Sequence, residues 1–330
     1  MPKRKRQPFI GVDLGGTSLR AGVVAANGEL LALEKRKTHP EQGGAAVIDR
    51  MADAIHKALK LAGLRPRDVG GVGVGIPGPI DAERGVVRLA VNLGPDWNNL
   101  PLADELYARL GLPVRLDNDV RVGALGEHTH GAGQGLDDMV AVFVGTGVGG
   151  GLVLGGQLRS GWRGSAGEVG HSVVAGDNGV LGKTGQPGSV EPLASRTGME
   201  RQIKDIVGAG RASVVPDLML KLGDGRLTSS VIYQALRQKD AVMAEVLAEA
   251  QHALGLLAGN LINILDPQMI VFGGGVTERL GNRFVAPIRQ VAYANAINKQ
   301  NVRGVRIVPA GLKDASGVVG AAVLARRTLD

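Results

Sequence analysis

Four times along this chain a short β-branched run ends in a cluster of glycines: Gly15-Gly16, Gly70 to Gly78, Gly145 to Gly156 and Gly273 to Gly275. Glycine is needed where backbone takes a positive φ or approaches a ligand closely. Repeated strand-then-glycine punctuation therefore favours folds in which several loops converge on one anionic ligand. Glycine supplies 52 of the 330 residues, more than twice the usual ~7%. The glycines keep no collagen period, and apolar segments separate them, so neither a fibre nor a low-complexity chain fits.

Residues 9–14 and 19–26 read as strands joined by the turn Gly15-Gly16-Thr17-Ser18, and Asn27-Gly28 signals a hairpin into a third strand at 29–37. Ile48, Met51, Ala52, Ile55, Leu59 and Ala62 then recur at helical spacing. A strand at 69–76, a helix at 102–110, a strand at 113–117 and a helix from Asp119 to about Thr129 follow. The pattern restarts with strands at 139–144 and 150–155, a weak internal repeat. Helices dominate 193–266, the longest being Val242 to Leu265. A strand at 269–272, a strand at 305–309 and a helix from Gly317 to Arg327 close the chain. The expectation is an α/β chain of two related halves, each a mixed sheet with helices packed on it, and a cleft between them.

Composition removes several classes of function. The net charge of +7 owes four charges to Lys3, Arg4, Lys5 and Arg6, so residues 1–8 read as a basic flexible tail and no basic nucleic-acid surface remains. Aromatic content of 3% argues against base-stacking platforms. With no cysteine there are no disulfides, thiolate metal sites or cysteine nucleophiles. The greasiest stretch, Leu254 to Leu265, is broken by Gly255, Gly259, Asn260 and Asn263 and falls short of the ~20 apolar residues of a membrane span. The start lacks the apolar core of a signal peptide, so the expectation is a soluble cytoplasmic protein with neither nucleic-acid nor membrane partners.

Two G-x-G-x-x-G matches, Gly73/Gly75/Gly78 and Gly145/Gly147/Gly150, do not open a helix directly after a strand, so the dinucleotide reading fails. Gly182-Lys183-Thr184 lacks the upstream glycine of a phosphate loop. Asp13 with Gly15, Gly16 and Thr17 is more informative. A carboxylate at a strand end can position Mg²⁺ through water, while the following N–H groups and hydroxyl hold phosphate; the competing reading is an ordinary hairpin. Gly145, Thr146, Gly147, Gly149 and Gly150 repeat the design around Val148, and with Gly273, Gly274 and Gly275 they suggest a triphosphate and nucleoside cradle.

D-L-G-G-T at 13–17, G-I-P-G-P-I-D at 75–81, L-D-N-D at 116–119, G-T-G-V-G-G-G at 145–151, A-G-E-V-G-H at 166–171 and V-F-G-G-G-V at 271–276 occur in one order over nearly the whole chain. This set resembles the ROK family (repressors, open reading frames and sugar kinases) of the sugar kinase/Hsp70/actin superfamily. The resemblance implies a two-domain, ribonuclease-H-like fold: residues 9–118 plus 313–330 as the N-terminal domain, 119–312 as the larger C-terminal one. It also implies ATP and Mg²⁺ as cofactors, a hexose substrate and a homodimer.

Phosphoryl transfer to a sugar hydroxyl needs charge neutralisation, in-line positioning and a carboxylate near the attacking oxygen. Asp119, after an apolar strand, is assigned as general base for the 6-hydroxyl; locally it could equally cap the helix beginning there. Asn118 can donate and accept toward hydroxyls, and Gly78, Glu168, His171 and Glu191 complete the expected sugar set. For His171 the alternatives are a metal ligand or a structural histidine. Many ROK members hold zinc with this histidine and cysteines, but here Gly182, Thr184 and Ser189 stand at the cysteine positions, so no zinc site is expected. Glucokinase activity is favoured. The alternatives are an N-acetylhexosamine, mannose or fructose kinase, a polyphosphate glucokinase, or a sugar-responsive regulator, the last disfavoured because the first core strand begins at Phe9.

Overall fold

The computed structural model describes residues 7–176 and 186–329. The chain opens with β1 (Phe9–Leu14), β2 (Ser18–Val24) and β3 (Leu30–Lys37), then α1 (Gly44–Leu61). Next come β4 (Val72–Ile76), the short pair β5 (Ile80–Asp81) and β6 (Val86–Val87), α2 (Leu102–Leu110), β7 (Val114–Asn118) and α3 (Asp119–His130). The second pass holds β8 (Met139–Val144), β9 (Val148–Leu154) and β10 (Gln157–Leu158). Five helices follow: α4 (Val190–Ala194), α5 (Arg196–Gly208), α6 (Val215–Leu222), α7 (Ser229–Arg237) and α8 (Ala241–Leu265). The last elements are β11 (Met269–Gly273), α9 (Gly275–Leu280), α10 (Asn282–Asn295), β12 (Arg306–Pro309) and α11 (Ser316–Leu329).

Two compact units divide the chain. The first takes residues up to Asp137, Gly151–Gly167 and those from Ala315; the second takes Asp138–Gly150 and Glu168–Asp314. The expected boundary at 118/119 is thus displaced: α3 and 151–167 fall in the first unit, because α3 packs along α11 and against β4.

In the first unit the sheet order is β3-β2-β1-β4-β7, with β1, β4 and β7 parallel and the two hairpin strands antiparallel. Because side chains alternate across a strand, Ile10, Val12 and Leu14 share one face and pack with the α1 stripe of Val47, Ile48, Met51, Ile55 and Leu59. The opposite face carries glycine where α11 and α3 come down. A Cβ on Gly11 would lie 1.8 Å from the Val318 carbonyl oxygen, and one on Gly73 1.8 Å from that of Ala321. Gly75 would meet Val122 of α3 at 2.5 Å. Part of the Gly70–Gly78 cluster therefore serves helix packing, not a ligand.

The second sheet has the order β10-β9-β8-β11-β12, and its parallel core β8-β11-β12 lies in the second unit. By length and composition α8, 25 residues long, could cross a membrane, but 61% of its most apolar window is buried in the protein. Leu254, Leu257 and Ala258 are buried, and α10, α4 and α5 pack around the helix, as around a core helix.

Candidate active site

In the first unit, the site is built where β7 hands over to α3. Asn118, in extended conformation, caps the helix: its Oδ1 accepts from the Val120 N–H at 3.0 Å and the Arg121 N–H at 3.2 Å. Its Nδ2 donates to the Gly78 carbonyl at 3.3 Å. The capping role weighed for Asp119 thus falls to its neighbour. Asp119 is the first residue of α3 and half-buried, with Oδ1 accepting from the Val120 N–H at 2.9 Å. Gly75 lets this first turn sit against β4, since a Cβ there would be 3.3 Å from the Asp119 Cα.

Flanking these two residues in sequence is a charged pair, Asp117 from the L-D-N-D motif and Arg121, which the motifs did not include. Asp117 and Arg121 are both buried, with Arg121 Nη2 3.2 Å from Asp117 Oδ2. Asp117 Oδ1 also accepts from the Asn118 N–H at 2.7 Å. Burial pushes the Asp117 carboxyl above the usual carboxylate range; Arg121 and the Asn118 N–H pull the other way without overcoming it. Arg121 further donates to the Gly164 carbonyl at 3.3 Å and to the Ser160 hydroxyl. It fastens the segment 160–164 to the start of α3.

Asp13, Gly15, Gly16 and Thr17 form a tight β1–β2 turn closed by the Gly15 N–H on the Ser18 carbonyl at 2.9 Å. Thr38 holds it from outside, donating its hydroxyl to the Gly15 carbonyl (2.6 Å) and its N–H to that of Thr17 (3.0 Å). Asp13 faces Arg20 across the hairpin at 3.7 Å, and both side chains are a quarter exposed at 26%.

In the second unit, Gly145, Thr146 and Gly147 make the matching β8–β9 turn, closed by the Gly145 N–H on the Gly147 carbonyl at 2.9 Å. Gly149 and Gly150, expected in the loop, lie within β9. Residues that the motifs passed over clamp the turn. The Arg196 N–H donates to the Gly145 carbonyl at 2.9 Å, and the Thr197 hydroxyl donates to the Thr146 carbonyl at 2.9 Å. Glu191 Oε2 accepts from the Val148 N–H at 3.0 Å and sits where a Gly147 Cβ would reach it at 2.5 Å. Only glycine leaves room for this carboxylate.

Glu168 precedes a single 3₁₀ turn, Val169–His171, that brings His171 Nε2 to 3.9 Å from Glu168 Oε2. Backbone supports this turn. The Val190 N–H donates to the Ser172 carbonyl at 3.0 Å, a bridge joins Val173 to Ser189, and Gly170 packs on the Val148 carbonyl. These contacts tie the His171 turn to the start of α4, which carries Glu191. Ser189 is fully buried, whereas Gly182 and Thr184, like Lys183, lie outside the described residues. Gly273, Gly274 and Gly275 lead from β11 into α9, with Gly274 at φ +86 and the Thr277 hydroxyl on the Gly273 carbonyl at 3.1 Å. Among the described residues, no three His, Asp or Glu side chains gather as a metal site.

The model of the ROK family matches residues 9–328. The chain is 35% identical to a glucokinase of Halalkalibacterium halodurans, covering 97% of this chain and 95% of the relative. It is 35% identical to a glucokinase of Thermotoga maritima, covering 100% and 99%. The fold superposes on the crystal structure of a ROK glucokinase from Streptomyces griseus in complex with glucose and AMPPNP, with a TM-score of 0.83, 35% identity and coverage of 97% and 99%. The architecture is that of the sugar kinase/Hsp70/actin-like proteins. With its motifs in order and the family model matched over nearly its whole length, this chain belongs to the ROK family.

Proposed function

We propose that this protein is an ATP-dependent glucokinase, forming glucose 6-phosphate and ADP. One observation carries the assignment of its base. Asn118 takes over the capping of α3, so Asp119 stands at the strand end as a partly exposed carboxylate that the helix does not need as its cap. Full-length likeness to glucokinases supports the substrate.

In this reading Asp119 takes the proton of the glucose 6-hydroxyl as that oxygen bonds to the γ-phosphorus and the bond to the β–γ bridging oxygen breaks. Asn118, Gly78, Glu168, His171 and Glu191 hold the sugar hydroxyls. The turns at Gly15, Gly16 and Thr17 and at Gly145, Thr146 and Gly147, together with Gly149, Gly150 and Gly273 to Gly275, hold the nucleotide. Asp13 offers a hard oxygen donor, partly exposed at a strand end, which fits a largely hydrated Mg²⁺. When bound, the ion would neutralise phosphate charge. No zinc is assigned, since the chain has no cysteine.

A coupled ADP-release assay over glucose, mannose, fructose and N-acetylhexosamines, with ATP or polyphosphate as donor, tests the reading. Glucose with ATP should give the highest kcat/KM. Preference for another sugar or donor would replace the assigned substrates, and no turnover with any pair would refute the kinase.

A further inference from the structure

We propose that Arg196 is a phosphate ligand, its guanidinium binding the outer phosphates of the nucleotide at the Gly145-Thr146-Gly147 turn. This inference rests on the kinase reading and adds a residue outside the family motifs. Ser195 caps α5, accepting the Gly198 N–H at 3.0 Å, and so fixes Arg196 as the first residue of that helix. From there the side chain reaches over the turn, with Nη2 donating to the Thr146 hydroxyl at 3.2 Å.

The turn does not need this side chain for support. The Arg196 N–H and the Thr197 hydroxyl already hold its carbonyls. What the guanidinium has instead is unused capacity. It carries five N–H donors, and its Nε is buried without a hydrogen-bond partner. Among the described residues no carboxylate pairs with it within 4.0 Å. A cation taken from water without a partner is costly, and burial indeed pulls its pKa below the ordinary arginine value, against the milder opposing pull of Glu278. Glu278 belongs to α9, which begins at Gly275. The charge is therefore held at the Gly145-Thr146-Gly147 turn. A planar fork of donors suits a terminal phosphate, and its charge suits the spread of negative charge over the transferring group.

Calorimetry of ATP, ADP and AMP binding to the full chain, with Mg²⁺ and without sugar, separates phosphate recognition from a structural role. Arg196→Gln should weaken ATP about 10- to 100-fold and AMP by less than about twofold, the size expected for lost charge-assisted hydrogen bonds to phosphate. Arg196→Lys should recover part of the ATP affinity, and glucose binding should match wild type in both variants. Equal losses for ATP and AMP would make Arg196 a strut of the turn, and unchanged ATP affinity would remove it from the site. Either result would leave the kinase reading standing, whereas a wild-type protein that binds no ATP would bring down both.

Discussion

Arg121 and Asp117 form a buried ion pair, Nη2 to Oδ2 at 3.2 Å with side chains only 8% and 5% exposed, and between them in sequence stand Asn118 and Asp119. The pair bridges the last residues of β7 and the first turn of α3. Through Gly164 and Ser160 it also reaches the segment leading toward Glu168. Under the proposed function, the placement of Asn118 and Asp119 toward the sugar thus rests on a charge pair that need never touch it.

Arg121→Met should leave the Asp117 carboxylate without its countercharge and cost about 3–5 kcal/mol of stability, as for one removed member of a buried pair. Urea unfolding would measure the loss. The variant that still folds should show a lower kcat, because Asp119 loses the support of its first helical turn. Wild-type stability would mean that neither the ion pair nor the Arg121 contacts to Ser160 and Gly164 contribute net stability.

The Asp117 carboxyl is raised by burial, so the folded chain keeps a proton at pH values where the unfolded chain, with a carboxyl pKa of about 3.9, has released it. The stability this proton contributes is full below the unfolded value and is lost as pH rises through the folded one. Measured against Asp117→Asn, which cannot titrate, wild type should therefore lose relative stability as pH climbs from about 4 through the folded value. Denaturant unfolding at several pH values tests the sign. A relative gain on raising pH would show that Arg121 outweighs burial.

Asp119→Ala and Asn118→Ala should separate chemistry from capping. The first should lower kcat by ~10²–10⁴, the range for a lost general base, with glucose affinity and melting temperature near wild type. The second should lower stability by about 0.5–2 kcal/mol through the lost cap and weaken glucose binding. Steady-state kinetics with thermal melts will distinguish them, and a normal kcat for Asp119→Ala would exclude it as the base.

Gly147→Ala would place a methyl group 2.5 Å from Glu191 Oε2. Glu191 must then leave the Val148 N–H, so the KM values for glucose and ATP should rise together, each by about tenfold for a lost charged hydrogen bond. If only the ATP value moves, Glu191 does not bind the sugar.

Local order determined what could be read along the chain. The 3.6-residue spacing from Ile48 to Ala62, the Asn27-Gly28 hairpin and the two glycine turns each depend on near neighbours, and each forms where the sequence signals it. Asp13, Asn118 and Asp119 were legible for the same reason, as polar residues at the ends of apolar strands. Tertiary structure decided what distant segments do to them. Gly73 and Gly75 look like ligand-loop glycines until α11 and α3 are laid across them. Which of Asn118 and Asp119 caps α3 depends on backbone direction at Asn118, and Arg196 belongs to the phosphate turn only because α5 begins beside Gly145. Such roles are set by close approach between residues far apart in sequence, and no local pattern encodes the identity of a neighbour that only folding supplies.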